Sequence, residues 1–200
     1  MSKKEVQKVL NQFRKSGKDI QSDQATRWLA QNLGKIQTQM RSENFNRDNP
    51  SVKKPGNIKE GSMIFFGYDP KTKATLPFWD AFPLAVLIDK SKDSLLGLNL
   101  HYLSPNIRWV FLNQLLRFTN NPEYAKTPPA NFTIDYPQLK AIKSFKPFRA
   151  AIKRYYIKSI MTEINVIPSN EWKYTTFMPL DKFKGASREE VWKWSNKYSS

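Results

Sequence analysis

Three apolar runs between residues 63 and 102 constrain the fold of this chain more than any other feature. Met63-Ile64-Phe65-Phe66-Gly67-Tyr68 reads as a buried strand. Asp69-Pro70-Lys71-Thr72-Lys73 follows as a loop, because Asp-Pro favours turn initiation. Phe82-Pro83-Leu84-Ala85-Val86-Leu87-Ile88 is the second run, with Pro83 near its start or on an edge, since proline has no N–H to give a ladder. Ser91 to Ser94 turns the chain, and Leu95 to Tyr102 reads as the third strand. Successive side chains on a strand face opposite ways. Leu96, Leu98, Leu100 and Tyr102 then share one face, and Leu95, Gly97, Asn99 and His101 the other. Short strands joined by short turns predict an antiparallel meander or a small SH3-like β-barrel at the centre of an α+β fold.

Helical spacing flanks this centre on both sides. Val6, Val9, Leu10 and Phe13 recur at helical intervals, as do Ala25, Trp28, Leu29, Leu33, Ile36 and Met40 after a cap at Ser22 or Asp23. Residues 42–61 are polar and carry Pro50, Pro55, Gly56 and Gly61, which mark a linker or long loop. Ser104-Pro105 starts a helix with Ile107, Val110, Phe111, Gln114, Leu115 and Phe118 on its inner face, and Asn120-Asn121-Pro122 stops it. A proline-rich loop covers 122–133, and helices are expected over 135–144 and 147–161, divided by Pro147. A turn at Ser169 to Trp172, a returning strand Tyr174–Met178 and a last helix after the capping box Ser187-Arg188-Glu189-Glu190 complete the reading. The organisation is an N-terminal helical arm over 1–45, a linker over 46–61 and an α+β core over 62–200 whose C-terminal helical part is basic.

Charge separates the same regions. The chain of 200 residues carries a formal net charge of +16. Residues 1–60 hold 13 basic and 6 acidic side chains, 61–139 hold 7 and 6, and 140–200 hold 13 and 5. A nearly neutral centre between two basic flanks points to a polyanionic partner, nucleic acid before a membrane face. No apolar run reaches the length of a membrane span. The N-terminus lacks the continuous apolar stretch of a secretory signal. Without cysteine the chain has no disulfide, thiolate chemistry or cysteine zinc site.

The single histidine, His101, has no partner set in the sequence for zinc, and Ser104 three positions on is weak ground for a nucleophile. We expect it to pack, with its ring bonded to backbone or to Asn99. Glu171-Trp172-Lys173 with Asp135 is a sparse match to a metal-dependent nuclease, which wants clustered carboxylates. No cofactor is expected. The stronger signal is Lys140, Lys143, Lys146, Arg149, Lys153, Arg154 and Lys158, a run with no acid among them. On a continuous helix these would cover about half the circumference, which Pro147 weakens. Phe145, Phe148, Tyr155 and Tyr156 interleave, some for the core and others available to stack on bases. Such a surface tracks phosphates without reading sequence and is sensitive to salt.

The centre resembles a family of tailed-phage virion proteins, the DNA end protectors of T-even-like myophages. That family's pattern has Pro-Gly-x-Met-Tyr, Tyr-Asp-Pro-Lys, Leu-Pro-Tyr-Tyr-Asp, Phe-Pro-Leu and Gly-Leu-Asn-Leu-His-Tyr-Leu, then a proline and an arginine. This chain has Tyr68-Asp69-Pro70-Lys71, Leu76-Pro77, Asp80, Phe82-Pro83-Leu84, the whole run Gly97–Leu103, and Arg108. It departs at Phe78-Trp79, where two tyrosines are expected, and at Ile64, where an aromatic is expected. Lys146 to Tyr156 is similar to the family's second half, so the likeness spans about residues 60–195.

The resemblance implies a non-enzymatic virion protein near the portal, neck or tail, made in the host cytoplasm, that shields genome ends from host exonuclease. Its partners would be double-stranded DNA and other virion proteins, with no membrane and no small-molecule substrate. The DNA contacts expected are the seven basic residues of 140–158 together with the basic N-terminal arm. The alternative is a structural neck, tail or baseplate component making only protein contacts. Phe78, Trp79, Trp192 and Trp194 are the candidate anchors for such contacts, because aromatics are enriched in interface centres. Asp69-Pro70, Phe82-Pro83 and Gly97 read as structural: a turn, a strand start, and a position where another backbone approaches.

Overall fold

The computed structural model describes residues 58–118, 134, 136–169, 172–176 and 180–198. The helices expected before residue 41, the arm, the linker as far as residue 57 and the loop 122–133 lie outside the described residues. Mixed helix and sheet surround one five-stranded antiparallel sheet. Its strands are β1 (Met63–Phe65), β3 (Leu84–Lys90), β4 (Ser94–Asn99), β5 (Ile152–Tyr156) and β6 (Asn165–Ile167), in the order β5-β4-β3-β1-β6. A second, two-stranded sheet pairs β2 (Trp79–Asp80) with β7 (Phe183–Lys184). The helices are α1 (Pro105–Phe118), α2 (Tyr136–Ser144), the single turn α3 (Trp172–Thr175) and α4 (Arg188–Tyr198).

The central strands β1, β3 and β4 are buried on both faces, which explains the near-continuous apolar runs. Met63 and Phe65 of β1 enter one cluster with Leu84, Val86 and Ile88 of β3 and Leu98 of β4. Ile64, Phe66, Ala85, Leu87 and Leu95 enter a second cluster on the other face. The alternation expected for the third strand holds within β4, where Leu96 and Leu98 meet the first cluster and Leu95 the second; Leu100 and Tyr102 also meet the first cluster, but from the turn after the strand. Gly97 sits where β4 crosses β3: a Cβ there would lie 3.1 Å from the Ala85 Cβ and 3.2 Å from the Val86 carbonyl oxygen. Gly61 has φ +82°, donates to the Leu87 carbonyl at 2.7 Å, and leaves no room for a side chain against the Ile134 backbone. Ile58 is buried in the second cluster and Gly61 is buried beside Ile134, while Lys59 and Glu60 between them are exposed.

Several expectations change. The strands do not close: β5 and β6 are the two edges and, among the described residues, no ladder joins them. The closed small barrel gives way to an open sheet, with one bridge from Tyr68 to Ile160 beyond the ends of β1 and β5. The third strand stops at Asn99, and Leu100–Tyr102 turn as a 3₁₀ helix because the Asn99 side chain accepts from the His101 N–H. Residues 147–161 are not a helix. A 3₁₀ stretch over Lys146–Ala151 leads into β5, then a second over Ile157–Ser159. The unpaired edge of β4 supplies ladder partners that outweigh local helical spacing, and the β-branched and aromatic residues Ile152, Tyr155 and Tyr156 suit a strand. Tyr174 and Thr175 are helical within α3 instead of opening a strand, while residues 177–179 lie outside the described residues. The capping box is present: Ser187 N–H donates to Glu190 Oε2 at 2.8 Å and Glu190 N–H to Ser187 Oγ at 3.3 Å.

Candidate nucleic-acid interface

A network of buried polar residues runs through the core beside β4 and β5. Asp80, on β2, is 2% exposed and lies at the centre. Its Oδ1 accepts from the Phe82 N–H at 3.0 Å, and its Oδ2 accepts from Asn99 Nδ2 at 3.0 Å. The His101 ring nitrogen Nδ1 lies 2.7 Å from the same Oδ2. Burial pushes the Asp80 carboxyl up, but His101, Asn99 and the Phe82 N–H together outweigh it and hold the carboxyl below the usual range. An ionised carboxylate only accepts, so Nδ1 carries the proton. Asn99 Nδ2 also reaches the Tyr155 hydroxyl at 2.9 Å, tying β5 into the network. Burial raises the Tyr155 and Tyr102 phenols well above the ordinary tyrosine range. His101 thus packs as expected, but its ring partner is Asp80 and not Asn99, whose contact is with the backbone N–H. The pair is shielded from solvent, with His101 at 0% exposure.

Arg108 extends this framework from α1. Its Nε donates to the Leu103 carbonyl at 2.8 Å, Nη1 to Thr176 at 3.0 Å and Nη2 to His101 at 3.3 Å. Burial pushes its pKa down to about 10, opposed by the charges of Asp181 and Asp80. Trp192 stacks near it, 5.7 Å from ring centroid to guanidinium carbon, and donates Nε1–H to the His101 carbonyl at 2.9 Å.

The seven basic residues fall into three groups. Lys140 and Lys143 are exposed on α2, three residues apart, while Leu139 and Ile142 are buried on its other side. Lys146 and Arg149 are exposed at the same spacing on the following 3₁₀ stretch, where residues three apart eclipse one another, and Phe148 fills the core below. Phe145 and Phe148 rings meet at 4.8 Å between centroids, and Phe148 meets Phe111 of α1 at 5.4 Å, which fixes these two elements to each other and to the core. Arg154 and Lys158 form a second exposed group, on and just after edge strand β5. Lys153 stands apart. Its Nζ lies 4.2 Å from the Tyr102 ring centroid and 4.9 Å from that of Trp194, and burial pushes its pKa down to about 8. Among the described residues, none of the six exposed cations pairs with a carboxylate.

The interleaved aromatics also separate. Phe148 and Tyr155 are buried and Phe145 is half-buried, whereas Tyr156 is 48% exposed. Of the candidate protein-contact rings, Phe78 lies against Tyr102, Phe183 and Trp194 at 6.0, 6.4 and 5.2 Å. Trp194 also meets Tyr198 at 4.4 Å, so Phe78, Trp192 and Trp194 all use ring surface within the fold. Trp79 is half-buried on β2. Asp135 and Glu171 lie outside the described residues. Among the described residues no group of three or more His, Asp or Glu side chains is placed to hold a metal ion.

The family-like residues Asp80, Gly97–Leu103 and Arg108 thus lie mainly in the core, apart from the exposed cations. The family described as Phage T4 terminal DNA protecting protein matches residues 1–197. The chain belongs to this family of phage DNA-protecting proteins. Neither a curated protein nor a solved structure matches it. The match includes the N-terminal arm, which the sequence motifs had not reached. In this family member, the motif residues Asp80, Asn99, His101 and Arg108 make a buried framework, and six of the seven basic residues are exposed.

Proposed function

We propose that this protein binds the ends of linear double-stranded DNA without catalysing a reaction on them, and so shields the ends from host exonuclease. The single observation that carries this reading is the exposed set Lys140, Lys143, Lys146 and Arg149, unpaired with any carboxylate among the described residues, on a member of a DNA-protecting family. Cations without internal partners remain available to replace the counterions of a phosphate backbone. Arg154 and Lys158 extend the contact along β5, and the basic N-terminal arm adds to it. The protein acts as part of the virion near the portal, neck or tail, after synthesis in the host cytoplasm. Trp79 is the ring we assign to a neighbouring virion protein. An SH3-like arrangement of the strands belongs to the same reading, supported by the 3₁₀ turn after β5 and the Tyr68–Ile160 bridge.

Charge reversal of Lys140, Lys143, Lys146 and Arg149 to Glu tests the proposal. Wild type should retain linear duplex DNA at low salt and slow its digestion by an exonuclease. The variant should lose both, and each phosphate contact removed should lower the logarithmic salt slope by about one. A folded variant with undiminished retention would overturn the reading.

A further inference from the structure

Phosphate contacts alone do not distinguish a DNA end from the middle of a duplex, because phosphates are present along its whole length. What an end has in addition is one exposed face of a base pair. Everywhere else both faces are covered by neighbouring pairs. A flat apolar surface beside its cations lets a protein read that face.

Tyr156 has that form. It is 48% exposed at the last position of edge strand β5. Its neighbours Phe148 and Tyr155 are spent in the core, and the more exposed Tyr198 has its ring against Trp194 at 4.4 Å. The Tyr156 backbone is held firmly: it pairs with Ser94 across the ladder, and its N–H points to the Tyr68 hydroxyl at 3.4 Å. Exposed cations stand on either side in the chain. Arg154 shares the outward face of β5 two residues before, braced by Nη1 on Ser94 Oγ at 2.9 Å. Lys158 follows two residues after, with Nζ 5.8 Å from the Tyr156 ring centroid. An exposed lysine resting on a ring is held less strongly than a stacked base, and its flexible stem lets it move to a phosphate.

We infer that Tyr156 is the end-reading residue: its ring stacks on the exposed face of the terminal base pair of linear duplex DNA, while Arg154 and Lys158 hold the flanking phosphates. This rests on the DNA-end function proposed above and adds how an end is told from an interior site. A ring fixed on a strand cannot enter the closed stack without unstacking base pairs, so it favours termini.

The test uses short duplexes carrying 2-aminopurine at the terminal or at an internal position, with covalently closed circular DNA as competitor. Full-length wild type should change the fluorescence of the terminal probe, leave the internal probe unaffected, and prefer linear over circular DNA. Tyr156→Ala should lose the terminal signal and roughly tenfold or more of the preference for ends, with affinity for circular DNA unchanged. Tyr156→Phe keeps a stacking face and should retain both. A Tyr156→Ala protein that melts like wild type and still prefers ends would overturn the inference, as would wild type binding linear and circular DNA alike with no terminal signal. No binding to either DNA would instead overturn the function on which it rests.

Discussion

Asp80 gathers more of the interior polar contacts than any neighbour described around it. A buried carboxylate is tolerable here because a histidine ring, an amide and a backbone N–H all donate to it. Asp80→Ala leaves those three donors without their acceptor and should cost about 3–5 kcal/mol in urea unfolding. The pH dependence follows from its lowered carboxyl pKa. The unfolded chain takes up a proton before the native one does, so the contribution of Asp80 is complete above the ordinary carboxylate range. It is lost as pH falls through the native value. Asp80→Asn should flatten that acid limb. A sequence reader sees Asp80 and His101 each inside a family motif, but nothing local joins them: they are 21 residues apart, and Asn99 and Tyr155 are 56 apart.

At the scale of elements, α4 is the helix best specified by its own residues. Ser187 and Glu190 satisfy its first donors reciprocally, and Val191 and Ser195 turn its inner face to the core. Ser187→Ala should lower stability by about 1 kcal/mol, measured by equilibrium denaturation. The two hydrogen bonds act as one box, so Glu190→Ala added to it should cost less than the sum of the two single changes. By contrast, β5 illustrates where local reading fails. Its basic and aromatic residues fit a helical face nearly as well as a strand. The free edge of β4 decides, and with it the faces of Lys153, Arg154, Tyr155 and Tyr156. β6 and β7 have only three and two residues, too short for any periodicity, and exist because β1 and β2 offer them partners.

For the molecule as a whole, Lys153 couples α4 to the sheet by standing between the rings of Tyr102 and Trp194. Its pKa is lowered from 10.5 to about 8 by burial. Between those values the unfolded chain holds a proton that the native protein lacks, so stability rises with pH across this window and is lowest below it. Lys153→Met should remove that rise and be the more stable protein at pH 7. The difference should be about 1–2 kcal/mol, because the two ring contacts offset part of the desolvation. Denaturation of both proteins at pH 7, 8, 9 and 10 should show the gap closing as pH increases.

The sequence by itself determined the three central strands and their faces, the starts of α1 and α4, the basic ends around a neutral middle, and the family likeness. Each depends on residues close together in the chain: a period of two, a cap and its third neighbour, a local charge sum, a contiguous motif. Only the tertiary structure decided that the sheet stays open and that His101 answers to Asp80. It alone turned Lys153 inward among aromatic rings and left Tyr156 outside. Those outcomes depend on which distant segment occupies the facing side of a strand, and local periodicity carries no information about that partner.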